Sequence, residues 1–187
     1  MLFTSAGSGE GRTTASINTA VALAESGRSV LLVDLDLRNP QVATVFGVAA
    51  PSGVLDVLRA QVPVAHAAVP VPVSRGSLNL LVHTHDHEPD VPDQLAPSDI
   101  DVLLQGAGDS GYDFVVFDAP QLGTISDALS IATQVDDVYL LVWRGRTEAR
   151  PLSDLAAICQ EHGVVPRGFI VIGGRPAVRE RHLVPLG

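Results

Sequence analysis

Three glycines at alternate positions, Gly7, Gly9 and Gly11, run into Arg12, Thr13 and Thr14 near the start of the chain, a spacing that can turn backbone around an anion. Glycine has no Cβ and tolerates φ > 0, so the N–H groups from about Gly9 to Thr13, Glu10 included, can face inward together. A helix begun here adds the partial positive charge of its N-terminus. Thr13 offers the kind of hydroxyl that holds Mg²⁺ beside a phosphate. Two apolar segments further on end in carboxylates: Leu31 to Arg38 carries Asp34 and Asp36, and Phe114 to Gln121 carries Asp118. Mg²⁺ takes oxygen ligands and is commonly bound by one or two carboxylates together with phosphates and water. Singly, the loop could be a tight connection and each aspartate a turn or cap residue. Gathered in one crevice, they predict a site for a phosphate chain and its magnesium.

Such a crevice needs strands that end side by side. Short, nearly continuous apolar runs recur at 29–33, 78–82, 114–117, 138–142 and 169–172, the pattern of strands buried on both faces. Helical periodicity lies between them at 13–25, 97–106 and 147–162, the first with Ile17, Val21 and Ala24 on one face and a stop near Gly27. Strands alternating with helices predict a doubly wound α/β fold with a mostly parallel sheet, in which ligands bind beyond the carboxyl ends of the strands. The Val-, Ala- and Pro-rich stretch 63–77 reads as a loose connection or an edge segment. One domain over residues 1–187 accommodates all of this.

Composition narrows the function classes. The chain has 187 residues, 46% of them hydrophobic and 18% charged, with a net charge of −9. No basic run offsets that charge, so non-specific binding to nucleic acid or anionic lipid is disfavoured. All twelve cationic side chains are arginine, and no lysine is present to serve at a phosphate. The lone cysteine, Cys159, sits in an apolar helical stretch and reads as a small core residue. Apolar runs reach only about six residues, far short of a membrane span, and no basic n-region precedes the first strand, so the expected compartment is the cytoplasm.

The motifs resemble those of the bacterial tyrosine kinases of capsule and exopolysaccharide biosynthesis, members of the deviant Walker ATPases together with the partitioning and septum-site ATPases. "TSAGSGEGRTT" is similar to that family's Walker A, "LLVDLDLRNP" to its Walker A′, and "YDFVVFDAPQLGTISDA" to its Walker B and sequel. "RNPQVATVFGVAAPSGVLDVL" and "DDVYLLVWRGRTEARPL" resemble segments of the capsule kinases in particular. The resemblance implies a P-loop fold that binds ATP and Mg²⁺. Gly7, Gly9, Glu10, Gly11, Arg12, Thr13 and Thr14 would hold the phosphates, with Thr13, Asp34 and Asp118 at the metal. Arg12, Asp36 and Asp118 would be catalytic, Asp36 as base toward a tyrosine hydroxyl. It also implies a membrane adaptor that controls polysaccharide chain length as partner, and assembly into homo-oligomeric rings.

Against that family, Arg12 stands where the Walker lysine is expected, and Gly173 where an asparagine near the adenine is common. Arginine keeps the charge but is longer and planar, which suits binding better than fast transfer. The family's segment before the first strand and its tyrosine-rich tail are not found in residues 1–187. Tyr112 and Tyr139 lie against or within strands, so any acceptor tyrosine is expected on a partner. The expected activities are therefore a kinase acting in trans or a slow ATPase, an inactive docking homologue, or a partitioning-type ATPase. His83, His85 and His87, beside Asp86, Glu88 and Asp90, read as a solvated loop rather than a metal site. Trp143, near Arg144 and Arg146, reads as packing, and Arg175, Arg179 and Arg181 as a solvated tail.

Overall fold

The computed structural model describes residues 1–83, 95–122 and 126–173, the side chains of 126 and 127 excepted. His85, Asp86, His87, Glu88, Asp90, Arg175, Arg179 and Arg181 lie outside the described residues.

Among the described residues, seven strands and seven helices follow one another as β1 (Leu2–Ser5), α1 (Arg12–Glu25), β2 (Ser29–Asp34), α2 (Val42–Phe46), α3 (Val54–Leu58), α4 (Val64–Ala67), β3 (Val69–Val71), β4 (Ser77–Leu81), α5 (Pro97–Asp109), β5 (Phe114–Asp118), α6 (Ser126–Ala132), β6 (Val138–Trp143), α7 (Ala149–Glu161) and β7 (Gly168–Ile172). The strands form one sheet in the order β3-β4-β2-β5-β1-β6-β7, parallel except for β3 against β4. All the strands and long helices expected from periodicity are present. The stretch expected as a loose connection or edge supplies both the short helix α4 and the edge strand β3, where Pro70 is tolerated. The helices α2, α3 and α6 are too short to show a helical period and were not anticipated.

Although β7, at the sheet edge, leaves Phe169 and Val171 62% exposed, against the expectation of burial on both faces, alternate residues of β1, β2, β5 and β6 enter separate cores. Leu2, Leu31, Val33 and Phe117 join the helices α3 to α7, whereas Phe3, Val30, Leu32 and Val116 meet Ile17, Ala20 and Ala24 of α1. Burial on both faces explains why these strands are unbroken apolar runs instead of alternating ones. Cys159 is buried within the first of these cores, and desolvation raises its thiol pKa, as befits a core residue.

Local signals set the helix ends. Pro97 occupies the first turn of α5, and Asp99 reaches back to accept the Ala96 N–H at 2.9 Å. Gly27, at φ 94°, turns the chain out of α1. His83 is buried at the end of β4, not solvated as its surroundings suggested, because the strand carries it inside before the polar segment begins.

Candidate functional site

β1 lies between β5 and β6, and β2 lies beyond β5. The chain leaves β1 in one direction toward β2 and later reaches β6 on the other side, so the loop after β1 marks the place where the winding reverses. That is where an open parallel sheet forms its ligand crevice. A cavity of about 340 Å³ opens here, lined by the loop from Gly9 to Thr14, by Asp36, Asn39 and Gln41 on the β2 side, and by Trp143 on the β6 side.

Gly9 and Gly11 adopt φ of 66° and 81°, which a residue with a Cβ would adopt only under strain. At Gly7 the constraint is a mild one of space: a Cβ there would come within 3.3 Å of the Glu10 carboxylate, which would have to shift slightly. The N-cap residue of α1 is Gly11, which has no side chain to cap the helix, and no acidic residue occupies the first turn. Gly11 C=O accepts from Ala15 N–H at 2.9 Å, leaving the N–H groups before Ala15 without intrahelical partners. This is the anion-receptive geometry expected from the glycine spacing.

Glu10 contributes more than its backbone. Its side chain is buried, with Oε2 accepting the Gly7 N–H at 3.0 Å and Oε1 accepting a short hydrogen bond from the Thr147 hydroxyl. Thr147 Oγ1 in turn accepts the Trp143 N–H at 2.7 Å. The phosphate-type loop is thereby fastened to the turn after β6 by residues 137 apart in sequence.

Arg12 folds back along its own loop. Nη1 donates to Ser5 Oγ at 2.8 Å and to the Gly7 carbonyl at 2.9 Å, and Nη2 donates to Asp36 Oδ2 at 3.3 Å. Both side chains of this ion pair are largely buried, at 12% and 15% exposure, so water screens it only partly. The Arg12 Nε is buried without a partner.

Asp34 and Asp118 are register partners at the ends of β2 and β5, and both are buried. Their surroundings differ. Asp34 accepts backbone N–H groups from Asp36 at 3.2 Å and from Gln41 and Val42 at 3.0 Å each. It fixes the turn carrying Asp36, Asn39 and Gln41 and, like Asp118, does not itself line the cavity. Burial, reinforced by the Asp118 charge, pushes the Asp34 pKa up to about 7 despite those donors. Both oxygens of Asp118 are buried with no hydrogen bond of normal geometry. Burial pushes its pKa up to about 6, with Asp36 acting in the same direction, while the nearby Thr13 hydroxyl, the Arg12 guanidinium and the Ser16 hydroxyl pull it down. Two lone carboxylate oxygens beneath Thr13 suit a cation or a water bound to one, so the donor set fits Mg²⁺.

Trp143, read from sequence as packing, lines the cavity instead. The Arg146 guanidinium lies over its ring, 5.2 Å from the centroid, and would be 3.2 Å from a Cβ on Gly9. A signal for Trp143 did exist, because it ends a strand at the same sheet edge as Asp34 and Asp118. The side-chain role of Glu10 had none, since its partner is distant in the chain. The two tyrosines are occupied: Tyr139 stacks on Phe3 with centroids 5.4 Å apart, and the Tyr112 hydroxyl accepts from Asn79 at 3.0 Å.

The family model described as ParA, NUBPL iron-transfer P-loop NTPase, matches residues 1–153. Among curated relatives, the tyrosine-protein kinase YwqD of Bacillus subtilis is 32% identical over 148 residues, which cover 79% of this chain and 61% of that protein. The chain thus spans about three fifths of that relative's length. Two solved structures are similar: the kinase domain of the Escherichia coli tyrosine kinase ETK (TM-score 0.74, 24% identity, covering 100% of this chain and 71% of that one) and the septum site-determining protein MinD of Pyrococcus horikoshii complexed with Mg-ADP (TM-score 0.71, 27% identity, covering 91% and 68%). Among the described residues no helix is long and apolar enough to cross a membrane.

Proposed function

The chain belongs to the ParA family of P-loop NTPases, and from that premise we propose that it binds Mg·ATP and Mg·ADP with the phosphates on the N–H groups between Gly9 and Thr14. The observation that carries this reading is the juxtaposition of an uncapped helix N-terminus with Asp118, a buried carboxylate near the Thr13 and Ser16 hydroxyls whose oxygens make no hydrogen bond of normal geometry. Thr13 and Asp118 would hold the magnesium, which when bound neutralises charge between the phosphate oxygens. Asp34 acts one step away, by holding the turn that carries Asp36.

Phosphoryl transfer in this site is slow. Fast transfer depends on positioning and on charge placed at the transferring group. Here Arg12 must leave Asp36 before its guanidinium can fork onto phosphate oxygens, and Asp36 must be freed before it can accept a proton from a hydroxyl. The acceptor in this reading is a tyrosine on a partner chain, at the cytoplasmic face of a membrane adaptor; similarity to a bacterial tyrosine-protein kinase and the engagement of Tyr112 and Tyr139 in internal contacts support it.

Titration calorimetry with ATP and ADP in Mg²⁺ tests the binding. Micromolar affinity lost in Asp118→Ala is the expected result; no heat up to millimolar nucleotide would refute it. Arg12→Lys tests the explanation of slowness, with ATP turnover expected to rise at least tenfold. Unchanged turnover in a variant that still binds ATP would favour the second reading, a docking homologue in which the Arg12–Asp36 pair keeps the site closed to chemistry.

A further inference from the structure

Trp143 and Asp36 stand at opposite ends of the cavity. The strand order puts β2, with Asp36 after it, two places to one side of β1, and β6, ending in Trp143, one place to the other. A nucleotide whose phosphates rest on the loop between them therefore has a carboxylate toward one end and an indole toward the other. Among the described residues Trp143 is the one aromatic side chain lining this cavity, and it is the one tryptophan of the chain.

The indole also determines what its neighbour can be. A Cβ on Gly173 would fall 2.3 Å from Nε1 and 2.5 Å from Cδ1 of Trp143, and Gly173 itself has φ 74°. With the ring in this place, position 173 has no side chain with which to read a base. The remaining polar side chains at this end are committed: Glu10 to Gly7 and Thr147, and Thr147 to the Trp143 N–H. The Arg146 guanidinium covers one face of the ring and reaches Gly9, so a base stacks on the other face or on the guanidinium plane itself. Among the described residues, then, this end of the cavity offers a π surface and no free side chain matched to one base edge. Stacking accepts any base, because every base has a π face. Strong discrimination needs hydrogen-bonding groups that the wrong ligand leaves unpaired.

We infer, resting on the nucleotide reading above, that Trp143 is the base platform of this site and that the site takes adenine and guanine nucleotides with similar affinity. The platform offers stacking where the base edge goes unread, and Gly173 is the glycine that leaves room for it.

Because Trp143 is the one tryptophan, its emission reports on the base without any substitution. Calorimetry and emission are recorded on the full chain with Mg·ATP, Mg·GTP and Mg·tripolyphosphate, the last carrying phosphates and no base. ATP and GTP should bind within about threefold of each other and both should alter the emission, while tripolyphosphate binds about tenfold or more weakly and gives a smaller emission change, limited to what movement of Arg146 over the ring produces. Trp143→Ala should reduce ATP affinity to that of tripolyphosphate, and Trp143→Phe should retain most of it. A preference for ATP over GTP beyond about tenfold, or ATP affinity equal in both variants and the parent chain, would overturn the inference while leaving the nucleotide site standing. Failure of all three ligands to bind the parent chain would overturn the nucleotide reading, and the platform with it.

Discussion

Asp118→Asn is the sharpest probe of the site, because it removes a charge that the folded protein holds at a cost. The Asp118 carboxyl ionises near 3.8 when solvated and at about 6 in the folded chain, chiefly because it is buried. Between those values the folded state binds more protons than the unfolded state, so stability falls as pH rises. The loss begins near 3.8 and is complete above about 6, where it amounts to about 3 kcal/mol at most. Asparagine keeps the shape and carries no charge to desolvate. It also relieves Asp34, whose pKa is raised by the Asp118 charge as well as by burial. The assay is urea unfolding of the parent chain and Asp118→Asn at intervals from pH 4 to 8, without nucleotide or divalent cation. Near pH 4 the two should differ little, and by pH 8 the variant should be the more stable by about 2–3 kcal/mol. Saturating Mg·ATP should then narrow the gap by stabilising the parent chain selectively. Unfolding free energies that stay parallel across the whole pH range would refute the reasoning, since they would mean that the Asp118 charge is not held at a net cost in the folded chain.

The loop makes two more predictions. Glu10→Gln leaves a near-isosteric side chain against Gly7 but weakens the charge-assisted acceptance from the Gly7 N–H and Thr147; a loss of about 1–2 kcal/mol in thermal or urea unfolding, with nucleotide affinity reduced several-fold, is expected. Gly11→Ala asks alanine to adopt φ 81° and places its Cβ 2.7 Å from Ile172 Cδ1. It should lower stability by about 1–3 kcal/mol and impair ATP binding in calorimetry, whereas Gly108→Ala, within α5 and with nothing within 4 Å of its Cβ, should leave ATP binding within error and raise stability by up to about 1 kcal/mol.

Much of the site was legible in the chain because its signals are local. Glycine spacing before a helical pattern specifies a loop that presents N–H groups, and an apolar run ending in aspartate specifies a carboxylate at a strand end; neither depends on what lies elsewhere. The doubly wound sheet followed from the same runs, since a strand buried on both faces has no room for polar alternation. The short helices α2, α3 and α6 were illegible for the complementary reason: five to seven residues hold too little of a helical period.

Side-chain directions were decided only by tertiary structure. Asp34 and Asp118 look alike in sequence, each closing an apolar strand, yet one faces three backbone donors and the other faces none of normal geometry, because the turn at 36–42 folds over β2 alone. Arg12 could have pointed to solvent or into the loop; Asp36, 24 residues away, draws it across the loop. Trp143 read as core packing until the strand order set β6 beside β1 and turned the end of that strand into a cavity wall. The sequence by itself specified which chemical groups reach the edge of the sheet, since hydrophobic period and glycine freedom act over a few residues. Which of those groups meet was decided by the fold, since those contacts join residues far apart in the chain and exist only once the strands lie in order.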